Sequence, residues 1–160
     1  MDGDFCLSMT GPHGGSAFVT FSSGDVSIWV EFESLSDDAL SGLIEIGVRM
    51  LRGYKSYTYT NHLCDSLPVR GFYEAVITIQ ASMGSDKIVE LKIQDTSAGR
   101  EAVFTCPLIR YVKQVLKMFD SYKYEHGADE YNAEWYSHFP EQRLELLRDL
   151  YHANKAKFCH

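Results

Sequence analysis

Cysteine and proline are both scarce in this sequence, at four residues each. Cys6, Cys64, Cys106 and Cys159 are widely scattered and form no Cys-x-x-Cys pair. That spacing excludes a zinc ribbon and a thioredoxin-like redox motif. A chain of 160 residues is long enough to bury a core without cross-links, so the cysteines are expected to be free thiols in a reducing compartment. Long apolar runs are also missing. Leu43 to Leu51 is the most apolar stretch, and Glu45 and Arg49 interrupt it, well short of a membrane span. Met1-Asp2-Gly3-Asp4 is acidic and lacks the basic and apolar regions of a secretory signal, and no Asn-x-Ser/Thr sequon occurs. These absences predict a cytoplasmic protein. Positive charge is in deficit too, with 15 Lys and Arg against 22 Asp and Glu and a net charge of −7. Non-specific binding to nucleic acid and docking on anionic membranes are both disfavoured by that balance.

What is present is a globular composition, 45% apolar and 13% aromatic, sized for one domain over residues 1–160. The first third reads as strands. Phe5 to Met9 is a short one, followed by turn residues at Gly11-Pro12-His13-Gly14-Gly15. Ala17 to Phe21 and Val26 to Glu33 flank the hairpin signal Ser22-Ser23-Gly24-Asp25. Val26, Ile28, Val30 and Phe32 alternate with Ser27, Trp29 and Glu31, so one face is buried and the other partly wet.

A helix follows, with Ser36 as the expected N-cap and Asp37 and Asp38 in its first turn. Leu40, Leu43, Ile44, Gly47, Met50 and Leu51 form its apolar face, and Gly53 marks its end. Tyr54 to Thr60 is expected to be an edge strand, leading into a loop through Gly71. Phe72 to Ser82, Lys87 to Asp95 and Arg100 to Cys106 make a three-strand meander. Pro107 opens a second helix, whose stripe is Leu108, Ile109, Val112, Val115, Leu116 and Phe119. A last helix runs from Pro140 to about Lys157. The expected fold is α+β: an antiparallel sheet of two hairpin or meander units with about three helices against one face.

Motifs for chemistry are few. Gly11 to Gly15 lacks the Gly-Lys-Ser/Thr ending of a phosphate-binding loop. His126, Asp129, Glu130 and His138, or His152, Cys159 and His160, lack the short paired spacing of zinc ligands. No Gly-x-Ser-x-Gly elbow occurs. No catalytic residue, cofactor or metal is therefore assigned.

The most unusual stretch is 120–136. Asp120, Glu125, Asp129, Glu130 and Glu134 stand against one lysine, and Tyr122, Tyr124, Tyr131, Trp135 and Tyr136 are interleaved with them. Tyr and Trp are favoured at protein–protein hot spots, and carboxylates beside them steer a basic partner. The nine residues Asp120, Tyr122, Tyr124, Glu125, Asp129, Glu130, Tyr131, Glu134 and Trp135 are the expected partner-binding set. An ordinary connection whose aromatics pack on the sheet would carry the same composition.

In size, charge and element order the chain resembles the bacterial immunity proteins of polymorphic or contact-dependent toxin systems. At residue level the likeness is confined to Trp29-Val30-Glu31-Phe32 and Trp135-Tyr136-Ser137-His138-Phe139-Pro140. The resemblance implies a non-enzymatic inhibitor that covers a basic protein partner such as a toxin. Two alternatives stand beside it. One is a small enzyme or ligand-binding domain with a pocket between sheet and helices, using His126, His138, Glu31 and Tyr59. The other is a subunit of a larger assembly.

Overall fold

A computed structural model of the chain describes residues 5–34, 38–62 and 76–158. It has the expected α+β class, with two antiparallel sheets and four helices in place of one sheet and three helices.

The first sheet is the meander β1 (Cys6–His13), β2 (Ser16–Ser23) and β3 (Val26–Glu33), in that order. Two tight turns connect it, each with glycine at positive φ (Gly14 at +59°, Gly24 at +58°) where a Cβ would be strained. The strand continues through His13, so the expected five-residue turn shrinks to Gly14 and Gly15. Alternation then decides the faces. Leu7, Ala17, Val19, Phe21, Ile28, Val30 and Phe32 point into the core, whereas Ser8, Thr10, Phe18, Trp29 and Glu31 point out.

Helix α1 (Ala39–Leu51) buries the predicted face. Its N-cap is Asp38, not Ser36, which lies outside the described residues. The Asp38 carboxylate accepts from the Ser41 backbone N–H at 3.2 Å and from Ser41 Oγ at 2.6 Å. The second sheet has the order β4 (Ser56–His62), β5 (Val76–Met83), β6 (Ile88–Asp95) and β7 (Arg100–Pro107). The edge strand expected at 54–60 is present two residues later, at Ser56–His62, and most of the loop expected after it lies outside the described residues. Ile77, Ile79, Ala81, Val89, Leu91, Ile93, Phe104 and Cys106 form its buried face.

Asn61, Ile77, Asp95 and Arg100 are successive register partners across this second sheet. Arg100 at one end of the row lies over Trp29, and Asn61 at the other exchanges two 3.0 Å hydrogen bonds with the Glu33 backbone. β3 therefore runs across the end of the second sheet, joining the two sheets without a ladder between them.

The remaining helices are α2 (Leu108–His126), α3 (Ala128–Trp135) and α4 (Glu141–Phe158). The stretch 120–136, read from sequence as a partner-binding segment or an ordinary connection, consists largely of the last two turns of α2 and all of α3. Gly127, at φ +86°, breaks the helix between them. Arg143 of α4 pairs with Glu45 of α1, and Arg148 of α4 with Asp120 of α2 at 2.8 Å. The fourth helix thus clamps the first two.

Candidate functional site

The aromatic residues of 120–136 divide by helical phase. Ala128, Tyr131 and Trp135 are spaced by three and four residues, so one face of α3 turns them inward. Tyr131 and Trp135 are fully buried, and Tyr122 nearly so. Tyr131 packs edge-on against Phe139 and Tyr122, with ring centroids 5.1 and 5.7 Å away. Trp135 Nε1 donates to Asp38 Oδ1 at 2.7 Å, which ties α3 to the cap of α1. Truncating a buried Trp costs about 3–5 kcal/mol of folding stability, and with no exposed surface Tyr131 and Trp135 are anchors of the core.

Glu134 is likewise engaged. Its carboxylate accepts from the Gly14 N–H at 2.8 Å and pairs with His13 at 3.1 Å, pinning α3 to the β1–β2 turn. Asp120 pairs with Arg148, and Glu130 with His126 at 2.7 Å. The charged and aromatic residues that the stretch leaves on the surface include Asp120, Glu125, Asp129, Glu130, Tyr124 and Tyr136, the last two 92% and 64% exposed. Of the nine expected partner-binding residues, Tyr131, Trp135 and Tyr122 are thus core side chains, Glu134 pins the β1–β2 turn, and the other five form an acidic flank.

An exposed aromatic pair lies elsewhere, on the outer face of the first sheet. Trp29 is 50% exposed and Phe18 39% exposed. Phe18 pairs with Glu31 and Thr20 with Trp29 across β2 and β3, so the two rings are diagonal neighbours, 5.6 Å apart. Arg100 lies with its guanidinium carbon 4.2 Å from the centre of the Trp29 ring. It is held there by Asp95 at 3.2 Å, itself nearly buried and fixed by Ser97 and Ala98 in the β6–β7 turn. Stacking of that kind contributes about 0.5–1 kcal/mol at an exposed site and orients the indole.

Beside Trp29 is a recess of about 190 Å³. Glu31 and Glu33 line it opposite Arg100. Glu31 also accepts a hydrogen bond from Ser16 Oγ. The recess thus brings the Glu31 and Glu33 carboxylates and the Arg100 guanidinium together around one indole. The sequence carried the signal: Trp29 sits on the polar phase of an alternating strand, where a large aromatic has no core to fill.

A second and larger depression, of about 590 Å³, lies between β1 and α2. Leu7, Met9, Met118 and Tyr122 make its apolar floor, and Lys117 and Glu125 stand on its helical wall.

The residues considered for an enzymatic pocket are not brought together. His126 borders the depression beside α2, His138 lies in a separate cleft near Arg143, and Glu31 lines the recess beside Trp29. Tyr59 packs its ring against Gly42 of α1. Among the described residues, no three His, Cys, Asp or Glu side chains converge as metal ligands would, and no helix is long and apolar enough to cross a membrane. No family model, curated protein or solved structure matches the chain.

Proposed function

We propose that this chain is a non-enzymatic protein-binding module of the immunity or inhibitor kind, which covers a basic partner such as a toxin. The observation that carries the reading is the exposed Phe18–Trp29 pair, braced by Arg100 beside Glu31 and Glu33. Trp and Arg head the residue types enriched at hot spots, and a strand face presents them without the ordering cost of a loop. The recess accepts the charged end of a partner Lys or Arg beside the Glu31 and Glu33 carboxylates. The net charge of −7 and the acidic flank of α2 and α3 would speed the encounter. The free thiol of Cys6, exposed on β1, fits a reducing, cytoplasmic location.

Co-purification of the tagged chain with the product of the adjacent gene tests the proposal. A one-to-one complex with a basic neighbour, associating faster at low salt, is the expected result. Trp29→Ala should then weaken it by about 30-fold or more, the size of a hot-spot loss of about 2 kcal/mol. No complex, or one indifferent to Trp29→Ala and Phe18→Ala alike, would overturn this assignment. A subunit of a larger assembly would use the same face but come down in a multi-component complex of fixed stoichiometry.

A further inference from the structure

β1 is an edge strand: β2 covers one side, and among the described residues no strand covers the other. Two of its outward groups are engaged at one end. Gln114 Oε1 accepts from the Leu7 N–H at 3.2 Å, and Arg110 Nε donates to the Phe5 carbonyl at 3.1 Å. In an antiparallel ladder the two backbone groups of a residue point to the same side, and the side alternates along the strand. Since the Leu7 N–H faces α2, so do the Leu7 carbonyl and both backbone groups of Met9. Among the described residues these three have no hydrogen-bond partner.

The depression of about 590 Å³ opens in front of them, within the roughly 300–1,000 Å³ usual for ligand clefts. Its floor of Leu7, Met9, Met118 and Tyr122 is apolar. Exposed edges are ordinarily blunted by lysine, proline or a covering element. β1 carries no lysine, and its one proline, Pro12, lies at the far end of the strand beyond Gly11.

Charge on the helical wall narrows the occupant further. Lys117 lines the groove and has no ion-pair partner among the described residues, and Glu125 lines it two turns later. Eight helical residues rise about 12 Å. An extended chain covers that distance in three to four residues at about 3.3 Å each.

We propose that the groove between β1 and α2 binds an extended peptide segment of a partner protein, which adds to β1 as a fourth strand with an acidic residue at Lys117 and a basic residue three or four positions away at Glu125. Main-chain hydrogen bonds to Leu7 and Met9 supply strand pairing, and alternate apolar side chains enter the floor beside Met118. The site is separate from the Phe18–Trp29 face and does not depend on its assignment.

A phage-displayed library of random decapeptides, panned on the full chain, tests it. Enriched sequences should alternate apolar and polar residues and carry an acid three or four positions from a base. Met9→Pro removes an N–H that β2 does not use, a substitution sheet edges tolerate, and should weaken the synthesised peptides at least tenfold. Lys117→Glu should reverse the preference from acid to base at the facing position, which decides the matter even if Met9→Pro loses its native circular dichroism. Trp29→Ala should bind the peptides as the parent does. Failure to enrich any sequence, or equal binding by parent, Met9→Pro and Lys117→Glu, would overturn the proposal. So would a concentration-dependent dimer abolished by Met9→Pro, which would put a second copy of this chain on the edge.

Discussion

Tyr131 carries its hydroxyl into the core beside Phe119, Phe139 and Tyr122, and among the described residues that hydroxyl has no hydrogen-bond partner. Burial pushes its pKa far above the usual tyrosine range, with the Asp38 charge adding to the effect. Tyr122 is pushed up to about 12, first by burial and then by Glu130. Tyr111 is raised by burial too, and its hydroxyl donates to the Leu43 carbonyl at 2.8 Å.

Below pH 10 or so both folded and unfolded chains keep these protons. Above it the unfolded chain releases them first, so stability falls as pH rises through the range from about 10 to 12. Tyr131→Phe removes one such group along with its unpaired oxygen. It should gain about 1 kcal/mol at pH 7 and lose less on going to pH 11, as urea unfolding at the two pH values would measure. Lower stability at pH 7 would mean that the hydroxyl is bonded after all. The sequence flagged the aromatic and acidic character of 120–136, but which rings are buried depends on the phase of a helix only eight residues long. Only the spacing of Ala128, Tyr131 and Trp135 hinted at that phase.

The apolar period of α1, from Leu40 to Leu51, was legible because one helix face is written in consecutive residues. Its cap was not. Asp38 serves Ser41 three residues on and Trp135 97 residues on, and no local signal includes the second contact. Close approach of α1 to β4 was equally hidden. A Cβ at Gly42 would meet three atoms of the Tyr59 ring at 2.7 Å. Ala is a better helix former than Gly by up to about 1 kcal/mol, yet forcing a methyl against an aromatic ring costs about 1–3 kcal/mol. Gly42→Ala should therefore destabilise the protein on balance, and a lowered denaturation midpoint would show it. A raised midpoint would mean that Tyr59 swings away freely.

Across the molecule, hairpin signals identified which consecutive strands pair. They did not say that β3 stops pairing and crosses the end of the second sheet, because Trp29–Arg100 and Glu33–Asn61 join distant parts of the chain. The exposed Phe18–Trp29 face was half legible: alternation put Trp29 outward, but its diagonal contact with Phe18 needs the register. Cohesion comes from the shared core and from the clamp of α4. Burial alone would raise the Glu45 carboxyl, but hydrogen bonds from Arg143 and Arg49 outweigh it and hold its pKa below the ordinary value. Lys123 of α2 reaches Glu141 of α4 at 2.7 Å. One buried cluster includes residues of both sheets and all four helices. Thermal unfolding should consequently be a single transition, coincident by far- and near-ultraviolet circular dichroism. Two separated transitions would divide the sheets into independent units.

The outer side of β1 is tied by Gln114, a residue 107 positions later in the chain. At a ribosomal pace of about 5–20 residues per second, the first meander emerges roughly 5–20 s before the helix that anchors its edge. During synthesis that bare strand faces its neighbours on the same message, other nascent copies with the same lysine-free edge.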